Sequence, residues 1–560
     1  MNTIRILALS ALLNAGCAAV SQLPNPATIL HGGKVVTLDK RSSIAQAVAI
    51  RDGKFTAVGS DAEVKRLAGP GTRMVDLGGR TVIPGLNDTH THFKAAGLAL
   101  YTVNLRGAKT VPEALEAIRT FAAKKKPGEW VVGGAWHPPS QLAEKRYLTR
   151  QEIDSAAPNN PVYLPTVGHF VMANSRALAL ARIDKGTPNP EGGVIERDAA
   201  GEATGVLVGP AIQLLTRAVP DWTREEQLGQ YRESMRILNS HGITSTIDGG
   251  LDMNDVRVLK EMAGTGQQTL RVAVMYRPPV PKDLAQWEEA MKAGGDPAAG
   301  DEWVRFAGVK LGFDGGMTLR TAHTRNPYPD DPKYHGLTYM SFERLKELAE
   351  ISDRHGWRVG VHVVGDKAVD LALAAFESLD KARPIAGKRF VLIHASLMQR
   401  DQMERARRLG LRADVQNVFM WDKAATVERF LGKETANRAV PTRTLIEVMG
   451  IENVGAGTDF PVNVIDPFLG MYIMVTRKDP RGVVYGAGEA ITREQALRLY
   501  TSSGAYYSFE EKIKGTIEPG KLADLVVLSE DLFTVPAESI KDVKAVTTMV
   551  GGKVVYQRGG

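Results

Sequence analysis

The middle of the chain alternates short apolar segments rich in β-branched residues with segments of helical periodicity, and this alternation restricts the fold more than any other feature. Eight segments are candidate strands: the one that ends before His90, and residues 243–247, 272–276, 306–311, 358–362, 390–394, 411–416 and 453–458. Strands that alternate with helices in this way are typical of a (β/α)8 barrel. The sequence therefore predicts an α/β protein with a TIM barrel over residues 85–513.

The first and second candidate strands are separated by roughly 150 residues, which is too long for a loop in a compact domain. This stretch has strand and helix signals of its own at residues 130–133, 161–164 and 223–240. We therefore expect an inserted subdomain at about residues 125–235. The two ends of the chain, residues 27–84 and 514–560, both contain short β-branched segments separated by glycine turns. Together they predict one small β-sandwich domain formed by both termini.

The segment Asp88-Thr89-His90-Thr91-His92 is the strongest local motif. Residues two apart on a strand point to the same side, so His90 and His92 can bind one cation with two imidazoles. Four further polar residues lie at or near the carboxyl ends of other candidate strands: Lys310, His362, His394 and Asp459. Any one of them could be a hydrogen-bonded core residue. Because barrel enzymes place their active sites at the carboxyl ends of the strands, the set predicts a shared metal site there.

Six motifs run in the same order along nearly the whole chain after residue 27: Pro84-Gly85-Leu86 with His90-Thr91-His92, Val309-Lys310 with Asp314-Gly315, His362-Val363-Val364-Gly365-Asp366, Ile393-His394-Ala395, Thr458-Asp459-Phe460-Pro461-Val462, and residues 515–525. With these motifs the chain resembles the amidohydrolase superfamily, and within it amidohydrolase family 3. The resemblance implies that His90, His92 and Asp459 bind one metal ion, that His362 and His394 bind a second, and that a carboxylated Lys310 bridges the two.

The implied cofactors are two divalent metal ions, zinc before manganese, iron or cobalt, and carbon dioxide for the carboxylation of Lys310. A free lysine ammonium has no lone pair and would repel cations, whereas a carbamate supplies two anionic oxygens. Gly308 and Gly312 are expected on the same side of the strand as Lys310, where they would leave room for the modified side chain. A salt-bridged, uncarboxylated Lys310 with a mononuclear site is the alternative.

The resemblance also implies the reaction. A metal-bound hydroxide would attack a non-peptide C–N bond of an N-acyl amine, formamide, lactam or carbamate, and Asp459 would transfer the proton to the leaving nitrogen. His169, Asp314 and Arg320 are the candidate substrate contacts; residues 316–322 depart from the family pattern, so no particular substrate is carried over. Two alternatives stay open: the same barrel acting as an esterase or deaminase, and a non-catalytic binding protein on a hydrolase scaffold.

Residues 1–20 contain one arginine, a short apolar run and then small residues, a pattern that predicts a secretory signal peptide. Asn14-Ala15-Gly16-Cys17 resembles a lipobox except at Asn14, so Cys17 is a candidate for lipid attachment to a membrane. We expect an exported protein, either periplasmic or a membrane-anchored lipoprotein; the alternative is a cytoplasmic protein.

The net charge of +7 is small for 560 residues, and no basic block longer than three residues occurs, so nothing indicates nucleic-acid binding. The expected partner is a small-molecule substrate. A homo-oligomer stays open.

Overall fold

The computed structural model describes residues 25–559 apart from 106, 135, 137, 167–169, 191–192, 279–280 and 282. The predicted signal peptide, Cys17 and His169 lie outside the described residues. Within them, no helix combines the length and the apolar character needed to cross a membrane.

Eight parallel strands form the central sheet, and each pairs with the next one along the chain. We number them β1 (Leu86–Thr91), β2 (Ile243–Leu251), β3 (Arg271–Tyr276), β4 (Val304–Gly312), β5 (Val359–Val363), β6 (Val391–His394), β7 (Arg412–Val415) and β8 (Val454–Ala456). A parallel bridge between Thr91 and Phe460 brings the two edges of the sheet together, so that the barrel is nearly closed. The predicted TIM barrel is confirmed, with each strand at its expected place.

Helices follow the strands, and most of them pack around the barrel: Phe93–Gly97, Arg224–Ser240, Met253–Gly264, Leu284–Ala293, Phe342–Arg354, Asp366–Ala382, Arg400–Arg408, Phe419–Asp422, Ala424–Arg438, Thr442–Met449, Pro467–Thr476, Arg493–Leu499 and Ser502–Tyr507. Their sequences favour these positions. Met253–Gly264 begins at a capping box in which Asp252 accepts the backbone N–H of Asp255, and it buries Val256, Leu259 and Met262 at helical spacing.

The side chains of each strand alternate between the barrel interior and the surrounding helices. On β3, Ala273 and Met275 belong to a small interior cluster, whereas Val274 and Tyr276 pack in the large outer core beneath the helices. This alternation fixes which residues at the carboxyl ends of the strands face the mouth of the barrel.

A separate sheet is inserted after the helix that follows β1. Its strands, in spatial order, are Val194–Arg197, Ala203–Val208, Phe170–Ala173, Val162–Pro165, Val131–Gly134 and Val103–Asn104. Helices Val111–Ala122, Pro138–Gln141, Arg150–Ala156, Ser175–Leu180 and Ile212–Thr216 accompany it. The helix at 224–240 was predicted as part of the insertion, but it packs on the barrel, where the Ser234 hydroxyl donates to the carbonyl of Phe93 at 2.6 Å.

The two ends of the chain form two further sheets. One has the strand order Lys54–Gly59, Ala47–Arg51, Thr28–His31, Arg73–Asp76, with helix Asp61–Lys65 beside it. The other, in spatial order, is Lys553–Gln557, Ala545–Val550, Leu525–Leu528, Thr81–Pro84, Lys34–Val36 and Ile44–Ala45. Residues of both sheets share one apolar core, which includes Leu30, Ile50, Val82 and Leu525. Strands from opposite ends of the chain therefore depend on each other for pairing and burial.

Candidate metal centre

The six predicted ligands lie at the carboxyl ends of five barrel strands. His90 is in β1 and His92 directly follows it, Lys310 is in β4, His362 is in β5, His394 ends β6, and Asp459 lies just beyond β8. The side chains of His92 and His362 are 29% and 25% exposed, respectively, whereas the other four residues are buried. The mouth of the barrel thus holds a polar cluster in which four residues are buried and two, His92 and His362, are accessible to solvent.

The structure brings His90, His92 and Asp459 into one potential ligand set, with one donor atom of each within 4.8 Å of the others. Asp459 Oδ1 lies 3.6 Å from His90 Nε2 and 3.5 Å from His92 Nε2. This buried oxygen has no hydrogen-bond donor among the described residues. Two imidazoles and a carboxylate are a suitable donor set for zinc and similar divalent ions.

His362 and His394 form a second group beside the first. Their ring centres are 4.4 Å apart, and the ring centre of His394 is 5.1 Å from that of His90. His394 Nδ1 lies 2.6 Å from Gln416 Oε1, which leaves Nε2 available to a cation. His362 Nε2 is buried without a hydrogen-bond partner among the described residues. Lys310 Nζ, at 2.9 Å from His90 Nε2, lies within the same cluster.

Burial keeps these histidines in the neutral form that binds metals. It lowers the pKa of His92 and of His362 to about 3, with a further contribution from the charge of Lys310, and it holds the pKa values of His90 and His394 well below the usual range. Burial also lowers the pKa of Lys310, to about 8. The lysine amine is therefore deprotonated more readily than an exposed one.

The backbone is strained where two of the ligands are presented. His394 and Asp459 have φ angles of 74° and 57°, in the left-handed region that residues other than glycine seldom adopt. Such strain costs about 1–3 kcal/mol per residue and is most often found at functional sites. Next to the cluster, β2 has no side chain at Gly249, where an added Cβ would lie 2.9 Å from Lys310 Nζ and 2.7 Å from His90 Cε1. This glycine makes the room that the sequence analysis assigned to Gly308; a Cβ at Gly308 would instead meet the carbonyl of Arg358 at 2.5 Å.

Two residues that contact the ligands, Asp414 and Gln416, were not predicted from the sequence. Asp414 Oδ2 lies 3.5 Å from His90 Nδ1, while Asp414 Oδ1 accepts the Thr89 hydroxyl at 2.5 Å. Burial raises the pKa of Asp414 to about 8. The available signal was a pair of polar residues two apart at the end of the apolar segment 411–416, the same pattern as His90 and His92.

Two of the three predicted substrate contacts, Asp314 and Arg320, have other partners in the structure. Asp314 is fully buried and accepts the backbone N–H groups of His323, Val364 and Gly365, which ties the segment after β4 to that after β5. Its Oδ1 is 3.9 Å from His362 Nε2. The Arg320 guanidinium pairs with Asp330 at 2.9 Å. A substrate contact by either residue stays a prediction, as it does for His169.

Comparison with known proteins shows that the chain matches one family model and that several relatives align with it over nearly their whole length. The family model described as "Amidohydrolase family" matches residues 73–556. Protein LONG AFTER FAR-RED 3 of Arabidopsis thaliana is 31% identical over 548 residues, which cover 94% of this chain and 91% of that protein. N-substituted formamide deformylase of Arthrobacter pascens is 29% identical over 547 residues, covering 95% and 98%, respectively. The crystal structure of an uncharacterized metal-dependent hydrolase from Pyrococcus horikoshii superposes with a TM-score of 0.75 at 26% identity, covering 91% of this chain and 99% of that one.

Proposed function

The chain belongs to the amidohydrolase family, as its motifs predicted. From that membership we propose that it hydrolyses a non-peptide C–N bond. N-acyl amines, formamides, lactams and carbamates are the proposed substrates. One observation carries the proposal: His90, His92, His362, His394 and Asp459 converge with Lys310 at the mouth of the barrel. The name of the Arthrobacter relative, a formamide deformylase, supports this bond type.

The donor set fits two divalent metal ions. His90, His92 and Asp459 would hold one ion and His362 and His394 the other, with Lys310 between them as a carbamate. Nε2 of His362 and Oδ1 of Asp459, which have no hydrogen-bond partner among the described residues, agree with that use. Zinc is our first choice for imidazole and carboxylate donors. Such ions supply a Lewis acid for the scissile carbonyl and a nucleophile at neutral pH.

Asp459 is the residue we assign to proton transfer. Its Oδ1 faces both His90 and His92, and its carboxylate can take a proton from a water at the centre and pass that proton to the leaving nitrogen. The nitrogen needs that proton because an amide anion is a poor leaving group. The overall reaction adds one water across the C–N bond and yields a carboxylic acid and an amine.

Lys310 is the residue we assign to carboxylation. Its neutral amine adds to carbon dioxide, a C–N bond forms, one proton is released, and the product carbamate bears a negative charge. Burial favours the neutral amine by lowering its pKa to about 8, and Gly249 leaves space beside Nζ. An ammonium at this place would repel bound cations.

Matched substrates test the function. Zinc-loaded protein is incubated with an N-formyl amine, the corresponding formate ester and an amino-substituted heterocycle, and the products are measured by mass spectrometry. We expect release of amine and formate from the first, and no reaction in Asp459→Asn. His241→Ala, a histidine at a helix end that bonds to the Ile237 carbonyl, is the control and should match the wild type. Turnover of the ester alone would identify an esterase, ammonia release a deaminase, and binding without turnover a non-catalytic protein.

A further inference from the structure

Arg277 directly follows β3, at the same end of the barrel as the metal centre. Ala273 and Met275 on this strand point into the barrel and Tyr276 points outward, so the alternation places Arg277 on the interior side. Its backbone N–H donates to the carbonyl of Leu251 at 3.0 Å, so the backbone of Arg277 is held against the end of β2. The side chain is exposed. Arg277 therefore stands at the open mouth, above the interior cluster.

Strand register brings Arg277 next to Lys310. The last pair between β3 and β4 is Tyr276 with Val309, and the next residue on each strand is Arg277 and Lys310. Neighbouring strands are about 4.8 Å apart, well within the reach of an arginine side chain. The pKa values of His92, Lys310 and His362 agree with this position: burial is the larger cause of their lowering, and the charge of Arg277 adds to it in all three.

The guanidinium of Arg277 has no hydrogen bond or ion pair with the described residues. By contrast, Arg320 and Arg325, on the segment that follows β4, pair with Asp330 and with Asp370 and Asp401, respectively. The positive charge of the Arg277 guanidinium would be repelled by metal ions bound at the centre. An anion bound at the mouth would offset that repulsion and would complete the fork of donors that a guanidinium offers.

We propose that Arg277 binds a carboxylate of the substrate, so that the preferred substrates are amides that carry a carboxylate close to the scissile bond. The proposal rests on the proposed function and names its substrate class. Water adds across the C–N bond as before, Asp459 transfers the proton to the leaving nitrogen, and the carboxylate stays on its product fragment without reacting. Arg277 acts in binding and takes no part in proton transfer.

Two matched substrate pairs test the proposal. The first pair is N-formylphenylalanine and its neutral carboxamide, with the charge on the amine side of the amide. The second pair is N-succinyl-2-phenylethylamine and its neutral succinamide, with the charge on the acyl side. The preference for charge is the ratio of kcat/KM within a pair. We expect Arg277→Gln to lower this ratio by roughly 10- to 100-fold in one pair, mainly through KM, because charge-assisted hydrogen bonds have about this effect.

The controls separate charge from general damage. Arg277→Lys keeps the charge without the planar fork and should lower the ratio less. Arg257→Gln removes another exposed arginine, from helix Met253–Gly264 on the outside of the barrel, and should leave the ratio unchanged. Bound metal and the mass of the Lys310 adduct are measured in each variant.

An unchanged ratio in both pairs, or an equal fall in Arg257→Gln, would overturn the proposal. Loss of metal or of the Lys310 adduct in Arg277→Gln, with the ratio unchanged, would mean that the guanidinium serves the carbamate, which also overturns it. If the wild type hydrolyses no amide, the proposed function fails separately. Calorimetry of the charged and neutral members of each pair with metal-loaded protein then still tests Arg277, and equal binding of both members by the wild type would refute the assignment.

Discussion

The amine of Lys310 lies 2.9 Å from Nε2 of His90, although 220 positions separate the two residues in the chain. The contact joins β4 to β1 across the mouth of the barrel. His90 also faces Asp459 and His394, so the two potential metal sites share a boundary at this contact. A single change at either residue should therefore affect both sites together.

Replacement of Lys310 by alanine should abolish hydrolysis and lower the bound metal from two ions toward one per chain, because the bridging anion is lost. Metal analysis and amide turnover measure both effects. Acetate or propionate should restore part of the activity by occupying the space of the carbamate. In the wild type, metal-free protein should regain activity faster when bicarbonate accompanies the zinc. Two fully occupied sites in Lys310→Ala would rule out the bridge and favour a mononuclear mechanism.

Alanine at His90 or at His362 should remove turnover and reduce metal content, each by the loss of one imidazole donor. Calorimetric zinc titration of the metal-free variants measures the effect, and His241→Ala serves as the control. We expect His90→Ala to weaken binding at both sites and His362→Ala mainly at one, since His90 lies beside Lys310 whereas His362 lies beside His394. Wild-type turnover in either variant would show that the catalytic site is elsewhere.

The fold could be predicted because each strand carries its own signal. Apolar segments such as 306–311 and 390–394 are strands in the structure, and the polar residue that ends a segment faces the mouth because all eight strands are parallel. The same logic brought Lys310 and His394 into the cluster.

Interactions between strands could not be predicted, because they depend on register. An irregularity opposite Val274 and Met275 shifts β4 by one residue, so Gly308 does not lie where strict alternation expected it, and Gly249 of β2 makes room for Lys310 instead. Arg277 could be recognised only after pairing showed it next to Lys310. Asp314 has a family motif around it, yet its three backbone contacts come from segments that only the tertiary structure brings together.

Asparagine at Asp414 should weaken zinc binding by about 10- to 100-fold, the effect that loss of an outer partner of a metal-binding histidine typically has. Asp414 Oδ2 lies 3.5 Å from His90 Nδ1, and a shorter approach on metal binding would let it accept a hydrogen bond from that nitrogen and keep Nε2 for the metal. Zinc affinity is measured by competition with a chromophoric chelator, and thermal unfolding of the metal-free protein is measured in parallel. Gln416→Glu is the companion variant: it keeps an acceptor for His394 Nδ1 and should retain zinc binding. An Asp414→Asn variant with wild-type affinity would remove Asp414 from the site.

Alanine at Asp524 should destabilise the whole protein, because Asp524 joins the terminal β-sheets to the barrel. It pairs with Arg271 of β3 through two hydrogen bonds, of 2.7 and 3.0 Å, and both side chains are buried, at 4% and 1% exposure, respectively. Without Asp524, the buried guanidinium of Arg271 keeps only the half-exposed Glu302, at 3.6 Å, as a counter-charge. Removal of one partner from a buried pair costs about 3–5 kcal/mol. Asp531→Ala is the matched control: it breaks the more exposed pair with Lys34, and such pairs contribute about 0–1 kcal/mol. Urea unfolding of the metal-loaded proteins compares the two. Equal stability of the two variants would mean that the terminal sheets and the barrel unfold independently. Deletion of residues 514–560 would then leave a folded barrel. A large loss of stability in Asp524→Ala alone predicts that this deletion gives insoluble protein, since strand Leu525–Leu528 also pairs with Thr81–Pro84.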